Sequence, residues 1–95
     1  MIRHVVILKL KENSDLELIK KEILNLKNEI KEIIHIEVGV DIGFDSSSSD
    51  LCIIADFKNL DDLKTYANHP KHIEVINNHI KPYLIQRNVV DYNVY

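Results

Sequence analysis

The segment Tyr66-Ala67-Asn68-His69-Pro70-Lys71-His72 gathers two imidazoles and a phenol, and a further imidazole, His4, interrupts an apolar run near the N-terminus. Histidine is the side chain best suited to exchanging protons near neutral pH. A neighbouring phenol can donate a hydrogen bond to an oxygen that gains negative charge. Together they suit removal of a proton alpha to a carbonyl, the opening step of an aldol-type closure. His72 is the candidate base, Tyr66 the candidate donor, and His4 a group that could orient the substrate or His72. Structural roles compete for the same residues. His69, placed before a proline, reads as a helix start rather than a catalytic group. A histidine among apolar residues, such as His4 or His72, needs a hydrogen-bond partner whatever its role. A tyrosine such as Tyr66 serves equally well as a core aromatic.

Clustered histidines can also bind metal. His69, His72 and His79 are spaced so that they could share a helix face, and three histidines can hold zinc with an open position. Pro70, however, pushes the residue before it out of helical geometry and takes His69 out of line. No carboxylate or cysteine is spaced to complete a set, so neither a metal nor another cofactor is expected. Cys52 has no basic neighbour in sequence and reads as an inert strand residue.

Periodicity supplies the elements that must position these groups. Residues 2–10 are rich in β-branched side chains and predict a first strand. Ser14 with Glu17 forms a capping-box pattern. After it, Leu16, Ile19, Ile23, Leu26, Ile30 and Ile33 alternate spacings of three and four, which predicts one helix of about five turns with a single apolar stripe. Ile36, Val38, Val40 and Ile42 alternate with polar residues or glycine and predict a second strand. A polar loop, 45–50, leads directly to a third strand, Leu51 to Phe57. Asn59 and Asp62 open a short helix through Ala67. Pro70 opens another that runs to about Lys81, where Pro82 stops it. A fourth strand covers 84–92.

The order β-α-β-β-α-β predicts an α+β, ferredoxin-like fold with a four-stranded antiparallel sheet and helices on one face. Ninety-five residues make one domain, 1–95,. In the first strand, Ile2, His4, Val6, Leu8 and Leu10 share one side, and Val5 and Ile7 lie on the other. In the third, Leu51, Ile53, Ala55 and Phe57 oppose Cys52 and Ile54. Both faces of the sheet are therefore apolar, yet the chain has helices for one only. A second copy of the chain is the simplest cover, so a homodimer is expected. The net charge of −3 has no basic stripe within it, which argues against nucleic acid. No apolar run is long enough for a membrane span and no signal-peptide pattern precedes the first strand. A single cysteine, with no internal disulfide to form, fits a reducing cytoplasm.

The residues then resemble a known family. Arg3-His4-Val5-Val6-Ile7-Leu8-Lys9-Leu10-Lys11, Gly39 and Gly43, Asp56-Phe57, Leu63, Tyr66, His69-Pro70-Lys71-His72 and Asp91-Tyr92 are similar to the stress-responsive A/B barrel (Dabb) family over the whole chain. The resemblance implies a dimeric α+β barrel: two sheets packed across the dimer, with a cavity between each sheet and its own helices. One member of that family is a cyclase that closes a linear polyketide by aldol condensation without a cofactor. Its catalytic histidine and tyrosine correspond to His72 and Tyr66, and its first-strand histidine to His4. Three function classes stay open: a cofactor-free cyclase or lyase acting on a small apolar, polyketide-like or aromatic compound, a small-molecule binding protein without turnover, and a structural stress-response protein. A related barrel family adds oxygenases of the antibiotic-biosynthesis-monooxygenase kind. Pocket shape, set by apolar residues, decides the substrate.

Overall fold

Strand β1 (Ile2–Leu10) is extended because six of its nine residues are apolar, four of them β-branched, and they lie on both faces; the chain beyond it folds to cover one of these faces,. The computed structural model describes all residues, Met1–Tyr95. Helix α1 (Leu16–Glu29) is followed by β2 (His35–Val40), β3 (Leu51–Phe57), α2 (Leu60–Ala67) and α3 (Pro70–Val75). A π-helical turn (Ile76–Ile80) and a 3-10 turn (Lys81–Tyr83) then lead into β4 (Leu84–Asn93). The strands form one antiparallel sheet in the order β2-β3-β1-β4. The fold is thus α+β and ferredoxin-like, as the element order predicts. No helix is long and apolar enough to cross a membrane.

The core lies between the sheet and the helices. Leu8, Ile19, Ile23, Ile30 and Phe57 are the largest side chains fully removed from water. The apolar stripe of the first helix holds in burial but not in backbone. Helix α1 stops at Glu29, about one turn short of expectation, and Ile30 takes extended geometry with φ −123° and ψ 105°. Ile30 and Ile33 remain buried from the loop beyond. A spacing of three or four registers which residues face the core; a tight turn can present them as well as a helix can.

Other boundaries shift for identifiable reasons. The N-cap of α1 is Asp15, whose carboxylate accepts from the Leu18 amide at 3.1 Å. The Ser14 hydroxyl instead donates to the Lys11 carbonyl at 2.6 Å, so the expected capping box does not form. Strand β2 ends at Val40, before Ile42, because the Asp41 carboxylate accepts from the Gly43 amide and turns the chain,. Gly43 takes φ +79°, a left-handed geometry that glycine adopts without strain,. Ile42 and Phe44 are left 90% exposed. The helix opened by Pro70 is α-helical only to Val75. Pro82 has no amide to donate and its ring crowds the carbonyl four residues back, so the helix ends in the wider π turn and a 3-10 turn.

Helices α2 and α3 start as expected: Asn59 accepts from the Asp62 amide at 2.9 Å, and the His69 ring accepts from the Lys71 amide at 3.1 Å. The capping assignment at α1 can be checked directly. Asp15→Ala should lower the unfolding free energy by about 1 kcal/mol, and Ser14→Ala by clearly less, in urea denaturation at constant slope. Equal losses would mean that the cap lies at Ser14 after all.

Candidate functional site

His4 sits in the middle of β1 on the side facing the helices and is 9% exposed. Its cross-strand partner on β4 is Asp91, and its Nδ1 lies 2.5 Å from Asp91 Oδ1. An ionised carboxylate only accepts, so Nδ1 carries the proton and donates it. Asp91 thereby fixes the ring's orientation and leaves Nε2 for other partners. Sequence reading did not single out Asp91 as this partner. The signal would have been its alignment opposite His4, which requires the pairing of the first and last strands.

Tyr66 closes the last turn of α2. It is 4% exposed, packed against Phe57 at 5.0 Å between ring centroids and against His72 at 4.2 Å. His4 meets it edge-on at 6.2 Å. Burial pushes the phenol pKa up to about 12, so the hydroxyl keeps its proton and stays a donor through the neutral range.

His72 lies in the first turn of α3, half-buried. Its Nδ1 is 3.1 Å from the Ala67 carbonyl oxygen. A carbonyl cannot donate, so Nδ1 bears the proton and the neutral ring presents its lone pair at Nε2. Burial holds the His72 pKa below the ordinary histidine value, and the positive charges that His4, Arg87 and His69 carry or acquire add to the effect, against the opposing pull of the Ala67 carbonyl,. The result is a neutral imidazole, a proton acceptor, beside a protonated phenol.

His4, Tyr66 and His72 line one cavity of about 70 Å³ between the sheet and the helices of the same chain. Its remaining walls are apolar, apart from Arg87 at the rim, another residue that the sequence reading passed over. His69 is engaged in capping α3 and does not line the cavity. No three His, Cys, Asp or Glu side chains come together as a metal-binding cluster. A larger, open depression of about 450 Å³ lies between Ile7, Gly39, Cys52 and the Ser48–Ser49 turn, and it holds neither imidazole nor phenol.

Residues 2–94 match the model of the Stress responsive A/B Barrel Domain family, Dabb. The chain belongs to this family. No curated protein matches it by sequence. Among solved structures, a dimeric protein of unknown function with a ferredoxin-like fold from Bacteroides fragilis is 28% identical. The match covers 98% of this chain and 95% of that one, with a TM-score of 0.86. A hydroxynitrile lyase from Passiflora edulis is 19% identical over 99% of this chain and 93% of that one, with a TM-score of 0.84. An antibiotic biosynthesis monooxygenase is 11% identical over 100% and 99%, with a TM-score of 0.80. At such identities the last two likenesses carry the fold alone.

The depressed pKa in this Dabb-family site has a thermodynamic signature. The folded chain protonates His72 at lower pH than the unfolded chain, whose histidine titrates near 6.5. The unfolded state therefore binds more protons in that window, and stability falls as pH drops below the ordinary histidine range through the folded value. His72→Gln should remove that part of the loss. Urea titrations at about pH 7 and about pH 5 should show the variant gaining on the wild type at the lower pH. A difference independent of pH would show that His72 is not held neutral by the fold.

Proposed function

We propose that this Dabb-family protein is a homodimer in which each chain carries a cofactor-free acid–base site for a small carbonyl compound of polyketide-like or aromatic kind, with cyclase- or lyase-type chemistry. The observation that carries the reading is the juxtaposition of a neutral His72, Nε2 unprotonated, with the buried phenol of Tyr66 on one cavity that also receives His4. In this reading His72 Nε2 takes a proton alpha to the substrate carbonyl. The carbonyl oxygen gains the charge and accepts a hydrogen bond from the Tyr66 hydroxyl, which is too weak an acid to lose its proton outright. The resulting enolate attacks a second carbonyl, and the His72 imidazolium returns its proton to the new alkoxide. Run in reverse, the same pair cleaves a carbon–carbon bond, and a lyase stays within the reading because the fold carries one in Passiflora edulis. His4, held by Asp91, would orient the substrate from the sheet side.

Ligand sites usually enclose hundreds of cubic ångströms, roughly 300–1,000 Å³. At about 70 Å³, this cavity takes the reacting end of a compound and leaves the rest at the rim. Exchange of alpha protons for deuterium in small ketones such as acetone and acetophenone, followed by NMR in heavy water, tests the chemistry without knowledge of the natural substrate. The protein should accelerate exchange. His72→Ala should return it to the buffer rate, and Tyr66→Phe should slow it by about a hundredfold or more, both with the fold retained. Binding of the ketones without exchange would favour a carrier, and no binding a structural protein.

The dimer reading rests on the sheet's other face. Val5, Cys52 and Ile54 are half-buried there, and Ile7, Val90 and Tyr92 are 40%, 61% and 45% exposed. Contiguous apolar surface of this kind marks an interaction site, and the Bacteroides fragilis relative is dimeric. Sedimentation at micromolar protein should give twice the chain mass. Ile54→Asp should cost several kcal/mol of stability by burying an unpaired carboxylate in the pair. A folded wild-type monomer at that concentration would refute the reading.

A further inference from the structure

Four polar side chains line the cavity, and the chemistry above uses three. The fourth, Arg87, sits opposite Leu8 in the β1–β4 pairing and so leaves the sheet on the helix side,. It is exposed. Exposed arginines commonly pair with a carboxylate, and this one does not. The carboxylates within reach of a basic side chain are Asp56 beside Arg3, Asp91 beside His4, Glu37 beside His35 and Glu74 beside Lys71. No carboxylate lines the cavity, and Asp91, the nearest on the same strand face, is engaged by His4. Arg87 is thus the one side chain on this largely apolar wall whose charge does not depend on pH in the neutral range,. Its influence reaches the inner groups: after burial, the Arg87 charge is among the causes that act on both Tyr66 and His72.

The geometry points to Arg87 as the anchor for a carboxylate on the substrate, so that the site takes a small keto acid, with its carboxylate at the rim and its carbonyl end between Tyr66 and His72. A guanidinium presents a planar fork of donors that matches a carboxylate in two parallel hydrogen bonds. The apolar interior behind it suits the uncharged end of the same molecule. A cation at the mouth also draws anions from solution and disfavours basic ligands. The inference rests on the reading of this cavity as the substrate site and narrows it to one ligand class.

The test compares 4-oxopentanoate with its primary amide, two ketones of nearly the same size that differ by one negative charge. Each is titrated into the protein and followed through the backbone amide shifts of His4, Tyr66 and His72. The wild type should bind the acid roughly ten- to a hundredfold more tightly than the amide, the range expected for a charge-assisted pair. Arg87→Gln should abolish the preference by bringing the acid down to the affinity of the amide, and Arg87→Lys should keep part of it. Equal affinity of the wild type for both probes would overturn the anchor and leave the pocket reading intact. Shifts from neither probe would overturn both. Equal weakening of both probes in Arg87→Gln would also overturn it, since Arg87 would then only be part of the wall.

Discussion

The pairing of β1 with a strand on each side is the constraint from which the rest of the molecule follows. In its register His4 stands between Ala55 and Asp91, and Arg3 stands between Asp56 and Tyr92. Adjacent residues of a strand point to opposite faces. The imidazole–carboxylate pair therefore lies under the helices, and the Arg3–Asp56 pair lies on the open face. The latter is bidentate, with distances of 2.8 and 3.0 Å, and Asp56 is only 3% exposed. The guanidinium holds the Asp56 carboxyl below its usual pKa, chiefly through their hydrogen bonds. A slip of one residue would put the guanidinium into the apolar core and the imidazole onto the open face. Each polar pair thus stabilises the register that the other requires.

What could be read along the chain was whatever repeats locally. Period two along β1 and β3 assigned His4 to the helix side, and Asn59 and Pro70 marked helix starts by short-range hydrogen bonding and fixed φ. What could not be read was whatever closes over distance. Asp91 meets His4 across 87 positions of sequence, and Arg87 enters the cavity only because β4 returns alongside β1. The capping error has a different origin. Ser14 and Asp15 are adjacent and both are good caps, so the choice is made by which carbonyl the Ser14 hydroxyl can reach. The misplaced end of α1 arises because Ile30 and Ile33 satisfy the core's demand for apolar volume without helical backbone.

Tyr66 shows how the site is cut from the core rather than added to it. Its ring fills space between Phe57 and His72, and phenylalanine would supply the same apolar area. The hydroxyl brings a desolvation cost that a ring serving only packing would not incur. In the proposed reaction, packing and chemistry thus make opposite demands on one side chain. The same tension holds at His72, where burial that steadies the helix contact also removes the imidazole's charge.

The π turn between α3 and β4 bears on how the cavity is closed. Ile76 and Ile80 come from this turn and form part of the cavity wall. A π turn satisfies its carbonyls one residue further along than an α-helix does, and it is rarely the backbone's preferred arrangement. The wall is therefore carried by one of the segments least committed to its own geometry, next to a sheet in which every strand is paired. Segments of low local stability open first and independently of the whole. A ligand that needs more room than the closed cavity offers must select the conformers in which this turn has moved aside. Its apparent affinity is then its intrinsic affinity scaled by the population of those conformers. In such a molecule, a substitution that stiffened Ile76–Ile80 without touching the ligand would alter selectivity by size, and the backbone would act as a sieve whose mesh is set by helix energetics.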